Sequence, residues 1–310
     1  MRVRIAILTF IFVLVSSFSA FADVRPEFLP KGPYADQIII KKHYVTGYDE
    51  ESEQASWVIY EITPSEANPK VKYERTKDFR IDPEVITGSA DLDDYSGSGY
   101  DRGHLAPAND MAFAHDAMSE SFFLSNMSPQ LGSFNRGIWR SVETRVHKWA
   151  EKELLIVVTG GVLQGDTYIG RNHVLVPIAY YKICYAPDSN KMIGFLLPHK
   201  KHLKNVRNFV CSVDKIEEIT GIDFFPGIED MKESQLESSI DQGEWEWNKT
   251  SLSVLPEDIV EEQTGMVKMS SSGICHDPRS KYYHRLKNYI SFDTLKKCLA
   301  AGGRLPKRIN

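Results

Sequence analysis

Between Gly99 and Asp110 the chain reads GYDRGHLAPAND, and four adjacent residues within it carry distinct chemistry. His104 bears the one side chain whose unperturbed pKa lets it accept a proton near neutrality, which nominates it as a general base. Arg102 supplies a permanent cation and a planar fork of donors that matches phosphate oxygens. Asp101 is suited to orient a neighbour or neutralise a partner, and Gly103 lets the backbone bend or another group come close. Taken alone, the same letters describe an exposed, salt-bridged turn with a lone histidine.

Context arrives with LSNMSPQLGSFNRGIWRSVE, in which Asn126 and Asn135 bracket an apolar stretch and Glu143 follows. Along an ideal helix, Glu143 lies ~12 Å from Asn135 and ~80° around the axis. That spacing argues against both gripping one ion directly. An arrangement in which Asn135 touches a metal and Glu143 reaches it through water is easier to build. Each residue also has a purely structural use: Asn135 as a helix N-cap, Glu143 as an exposed helix glutamate, and Asn126 as a turn residue.

The elements that must position these residues are partly legible. Gln37–Tyr44 and Ser56–Thr63 read as β-strands, the second by period-two alternation. Asp91–Gly99 is a turn-rich loop leading into the histidine stretch. Met111–Asn126 combines a helical start with the apolar end FFLSN. From Arg136 to Ala150, apolar residues recur at three and four positions, the pattern of an amphipathic helix with Asn135 at or near its N-terminus. Leu154–Thr159 is a buried-strand candidate that ends at Gly160-Gly161. Further strands are expected around Val174–Cys184 and Lys191–Leu197, and a helix over Phe209–Ile219 that stops before Gly221. Strands and helices mix without regular alternation, so the fold class is α+β.

At the scale of the chain, Arg2 and Arg4, the apolar run Ile5–Val15 and Ala20-Phe21-Ala22 compose a signal peptide cut after Ala22. The expected product is soluble and exported, secreted or periplasmic, with no membrane association after cleavage. In an oxidising compartment the four cysteines favour disulfides. Proximity suggests Cys184–Cys211 in the main body and Cys275–Cys298 in the tail. A zinc site from Cys275, His276, His284 and Cys298 ranks below the disulfide. The net charge of −5 is unevenly spread. Residues 231–268 carry nine acidic and three basic side chains, and read as an acidic linker that lies against the core through Trp245 and Trp247. Residues 269–310 carry nine basic and two acidic side chains, with SKYYHRLKNY alternating cations and aromatics. That tail suits a polyanion, or is simply a small fold with a lysine-rich face.

DRGH, then LSNMSPQ, then FNRGIWRSVE, in that order, resembles the DNA/RNA non-specific endonuclease family of the ββα-metal type. The likeness spans about Trp57 to Pro226 and includes VVTGG and IEEITGIDFFPG. It implies a ββα-metal nuclease fold, with a histidine on a strand, an asparagine binding a single Mg²⁺ (or Mn²⁺), and a helix behind them. By position, His104 corresponds to the general base, Arg102 to a phosphate-side arginine and Asn135 to the metal ligand. Glu143 matches the glutamate that holds a water of the metal, and Asn126 a supporting asparagine. In two places the chain departs from the pattern. His147 stands where the family usually has an arginine, and Arg75, Lys77 and Arg80 all compete for the upstream substrate-side cation. The implied activity is hydrolysis of DNA and RNA, single- and double-stranded, with little sequence preference. With the leader pattern and the charge zones, the expected organisation is a signal peptide (1–22), an endonuclease domain (23–230), an acidic linker (231–268) and a small basic, disulfide-containing module (269–310), the last not covered by the resemblance. A catalytically weak nucleic-acid-binding protein using the basic tail is the alternative. Oligomeric state is left open, a homodimer included.

Overall fold

The computed structural model describes residues 24–247, 266–276, 283, 286–293, 297–298 and 301–303. The expected signal peptide, residues 248–265 of the acidic linker and half of SKYYHRLKNY lie outside them. The chain divides into two compact units, residues 1–246 and 247–310.

The first unit is built on strands β1 (Gln37–Ile40), β2 (Val45–Asp49) and β3 (Gln54–Ile62), the one-turn helices α1 (Pro64–Ala67) and α2 (Leu92–Tyr95), then β4 (Tyr100–His104), α3 (His115–Glu120) and β5 (Met127–Leu131). Helix α4 (Arg140–Ala150) follows, then β6 (Leu155–Val162), the short β7 (Tyr168–Ile169) and β8 (Val174–Leu175), β9 (Ala179–Ala186), β10 (Lys191–Pro198) and β11 (Val210–Cys211). Helices α5 (Val213–Thr220) and α6 (Asp230–Glu237) complete it. Seven strands form one antiparallel sheet in the order β1-β2-β3-β6-β9-β10-β11.

Both faces of that sheet are covered, which is why β6 is buried along its whole length. Trp57, Ile59, Val158, Ile183 and Tyr181 share one face and pack with Ile216 of α5 and Leu236 of α6. By the two-residue alternation of strands, Tyr60, Thr159, Lys182 and Cys184 point to the other face. That second face carries α4, whose Trp149 stacks on Phe195 with ring centroids 6.2 Å apart. It also carries a separate antiparallel pair, β4 with β5, in which His104 sits opposite Met127 and Arg102 opposite Pro129. Tyr180 donates from its hydroxyl to the Pro129 carbonyl at 2.7 Å, and Ser128 donates to Gln54 Oε1 at 2.6 Å, fastening the pair to the sheet. Two strands followed by a helix therefore lie as one layer on the sheet. The α+β expectation holds.

Several sequence expectations need adjustment. The strand expected over Gln37–Tyr44 ends at Ile40, because Lys41 N bonds Tyr44 O at 3.0 Å and reverses the chain. β6 runs through Gly160-Gly161 instead of stopping there. The helix expected from Phe209 begins at Val213, since Val210–Cys211 joins the sheet edge and Ser212 caps α5 through Lys215 N. It ends where Gly221 turns left-handed at φ +70°.

The Cys184–Cys211 disulfide is incorrect: both thiols are free. Cys184 pairs with Ile193 and Cys211 with the next residue, Gly194, so the two side chains face opposite sides of the sheet from strands separated by β10. Sequence proximity carried no information about that parity.

Helix α6 and the buried Trp245, whose ring centroid lies 4.5 Å from that of Trp149, belong to the first unit. The body thus extends structurally to Glu246. In the second unit, β12 (Val267–Ser270), β13 (Cys275–His276) and β14 (Tyr289–Phe292) form a sheet ordered β13-β12-β14. The Cys275–Cys298 disulfide is present and packs with Val267, Met269 and Phe292, which removes both sulfurs from any zinc site. Lys268 places its ammonium 4.4 Å from the Tyr283 ring centre and 4.3 Å from that of Tyr289.

Candidate active site

β4 ends on His104, and the following loop is pinned by Asn126. Its side-chain oxygen accepts from Ala106 N at 2.9 Å, and its nitrogen donates to Ala106 O at 3.0 Å and Ser121 O at 2.8 Å. Asn126 is fully buried, and its amide is spent on backbone rather than presented to a cleft. It is a positioning residue, not a catalytic one. Gly103 serves close approach: a Cβ there would meet the Gln130 side chain at 2.2 Å.

His104 is only 7% exposed and sits edge-on to Phe79 and Phe122, with ring centroids 5.8 and 4.8 Å away. Each of those rings also carries a guanidinium, Arg102 over Phe79 at 4.4 Å and Arg75 over Phe122 at 4.8 Å. Burial, followed by the charges of Arg75 and Arg102, pushes the imidazole pKa down to about 3. The ring is therefore neutral at physiological pH. Its Nε2 is sealed and has no hydrogen-bond partner, which leaves Nδ1 as the nitrogen open to the cleft.

The chain then enters α4 through a π turn, Phe134–Trp139, with Gly137 far from helical geometry at φ −104° and ψ −109°. Ideal α-helix spacing between Asn135 and Glu143 is thereby broken, and both residues line the same cleft. Asn135 is not an N-cap. Its amide nitrogen donates to Asp101 Oδ2 at 3.0 Å, and Asp101 Oδ1 accepts from Arg136 at 3.1 Å. Asp101 thus fixes the carboxamide and leaves its oxygen as the free donor atom.

The cleft is open, about 530 Å³, and is lined by Arg75, Arg102, His104, Asn109, Asp110, Asn135, Arg136, Arg140, Glu143 and His147 among others. Of the three upstream cations, Arg75 is the one that lines the cleft. Arg80 turns away, donating to Asp78 at 2.8 Å and to Ser119 O at 3.0 Å while lying over Phe123. Lys77 does not line the cleft. Burial raises the Glu143 pKa to about 7 against the opposing pull of Lys182, with Asp110 adding to the rise.

Sequence reasoning missed two buried charged residues at the cleft, one in its wall and one behind it. Asp110, buried, joins His147 Nδ1 at 2.8 Å and accepts from Tyr60 at 2.7 Å. Lys182, wholly buried, bonds the Thr159 hydroxyl and lies over the rings of Tyr60 and Trp139. The visible signal for Lys182 was a lone cation inside the apolar strand AYYKICYA. For Asp110 it was the last letter of the opening motif.

A hard divalent cation fits these donors. The carboxamide oxygen of Asn135 is held with no competing bond, and the half-buried Glu143 carboxylate lacks a hydrogen-bonded partner among the described residues. Oxygen ligands of this kind suit Mg²⁺ or a close relative. Among the described residues no Phe, Tyr or Trp lines the cleft, while four guanidinium groups do line it.

A histidine strand, its partner strand and a helix enclosing a cationic cleft define a ββα-metal nuclease. The family model for DNA/RNA non-specific endonucleases matches residues 28–231, and the chain belongs to that family. Mitochondrial nuclease 1 of Schizosaccharomyces pombe is 31% identical over 67% of this chain and 72% of its own length. A nuclease of Nostoc sp. is 30% identical over 66% and 78%, and mitochondrial endonuclease G of Homo sapiens 29% over 63% and 72%. The crystal structure of the EndoG/EndoGI complex, which addresses the mechanism of EndoG inhibition, superposes with a TM-score of 0.59 at 28% identity, covering 64% of this chain and 89% of that one. The protein is thus an enzyme that hydrolyses nucleic acid, in a family dependent on divalent metal. The reading as a binding protein is set aside.

These relatives also correct the expected compartment. The S. pombe and human proteins are named as mitochondrial and the Nostoc protein simply as a nuclease, so the relatives do not support the secreted or periplasmic expectation.

Proposed function

We propose that the chain is a Mg²⁺-dependent endonuclease that cleaves DNA and RNA, single- or double-stranded, with His104 as general base and Asn135 as the protein's metal ligand. The observation that carries this reading is the convergence of a neutral imidazole, a carboxamide oriented by Asp101, and Glu143 on one arginine-lined cleft.

His104 Nδ1 takes a proton from the water whose oxygen attacks phosphorus, while one P–O bond of the diester breaks. Asn135 Oδ1 would be the protein's ligand to the cation, and Glu143 would support it from the same cleft. The chemistry such a cation supplies when bound is polarisation of the phosphate and relief of charge on the departing oxygen. Arg75, Arg102 and Arg140 bind the phosphate oxygens and stabilise the charge that grows on them. Asp110 orients His147, which occupies the helix position where the family usually places an arginine. Contacts confined to phosphate carry no direct sequence information, hence the low selectivity. The two-unit division supports a catalytic body followed by a small basic module.

The test is incubation of the purified chain with supercoiled plasmid and with RNA, with Mg²⁺ and with excess chelator. Both substrates are expected to be cut only in the presence of the ion. Intact substrates under Mg²⁺ and Mn²⁺ alike would refute the reading.

A further inference from the structure

We propose that Asp214, Glu217 and Glu237, brought together where α5 meets α6, form a second divalent-cation site of the Ca²⁺ type that shares no residue with the cleft. One carboxylate oxygen from each residue lies within 4.8 Å of the other two. Asp214 and Glu217 are three apart on α5, and Glu237 sits on α6, so two helices each turn a ligand-bearing face toward the other.

A second observation separates this trio from an ordinary acidic patch. Glu237 is only 6% exposed, yet its Oε1 is sealed from solvent with no hydrogen-bond partner. An ionised carboxylate in that position is strongly disfavoured unless something satisfies it. Glu233, one turn earlier on α6, also has a sealed and unpartnered Oε1. Glu217 is pre-oriented, because its Oε1 accepts from Phe224 N at 2.8 Å. Asp223 and Glu233 add negative potential, against which Lys31 is the cation felt by Glu233.

Oxygen-only ligands exclude the soft metals, and a trio of carboxylates with one exposed member suits Ca²⁺. Asp214 provides the solvent-facing entry, and water would complete the shell. The consequence is structural: the ion would brace α6 against α5, next to the segment that seats Trp245 on Trp149 of α4.

The test uses the full chain, stripped by chelation, with Asn135→Ala and Glu143→Gln introduced so that the cleft contributes no binding. Calorimetric melting is followed as Ca²⁺ is added. Tm is expected to rise by about 5 °C or more at a hundredfold excess over the dissociation constant. Adding Asp214→Asn or Glu237→Gln should abolish that rise. No rise, or a rise of equal size in both variants, overturns the site. Should the Glu237 variant fail to fold, the exposed Asp214 variant decides alone.

Discussion

His104 and Glu143 face the same cleft with opposite perturbations, and this sets the expected pH behaviour. The His104 pKa is depressed to about 3, so the imidazole stays neutral through the whole working range and imposes no acid limb near neutrality. The Glu143 pKa is raised to about 7, so its carboxylate form is lost as pH falls through that value. Activity should therefore decline below about pH 7 on the Glu143 titration. Because a bound cation competes with that proton, the midpoint should move to lower pH as Mg²⁺ is raised. Rates measured against pH at two Mg²⁺ concentrations test this, and Glu143→Gln should flatten the limb. A midpoint indifferent to Mg²⁺ would separate Glu143 from the metal. Asn126 makes the contrasting case. Asn126→Ala orphans buried backbone groups at about 1–3 kcal/mol each, so lowered Tm should accompany lowered activity.

The strand pairings are equally open to test. With Cys184 and Cys211 on opposite faces of the sheet, and their thiol pKa values raised by burial to about 12 and about 11, alkylation of the native protein at pH 8 should spare both. Unfolding without reductant should expose two reactive thiols, with Cys275 and Cys298 still joined. Mass spectrometry of the alkylated peptides counts them, and a Cys184–Cys211 linked peptide would contradict the register. Trp245→Ala should cost about 3–5 kcal/mol, because the indole fills the space beside Trp149.

The same elements show what the sequence could reveal. Helix α4 and the central strands were legible because their apolar periodicity is strong. The π turn before α4 was not, since nothing in FNRGIW distinguishes it from an α-helical start. His104, Asn135 and Glu143 were found through resemblance, but their convergence depends on that turn. Asp110 is held in the cleft wall by Tyr60 of β3, and Lys182 bonds Thr159 across the β6–β9 pair, contacts between residues far apart in sequence that no local spacing encodes.

Over the whole molecule, a chain of net charge −5 presents a cleft lined by four arginines. The local field, not the sum, governs substrate approach. Replacing Arg75 or Arg140 by alanine should weaken binding across sequences and reduce the slope of log affinity against log salt by about one unit each. Deleting residues 269–310 should leave cleavage intact while making the salt dependence shallower. The most direct measurement is plasmid cleavage by His104→Ala in saturating Mg²⁺, with and without added imidazole. The account predicts a loss of about a hundredfold to ten-thousandfold at unchanged fold, partly restored by imidazole. Undiminished cleavage by that variant would contradict it.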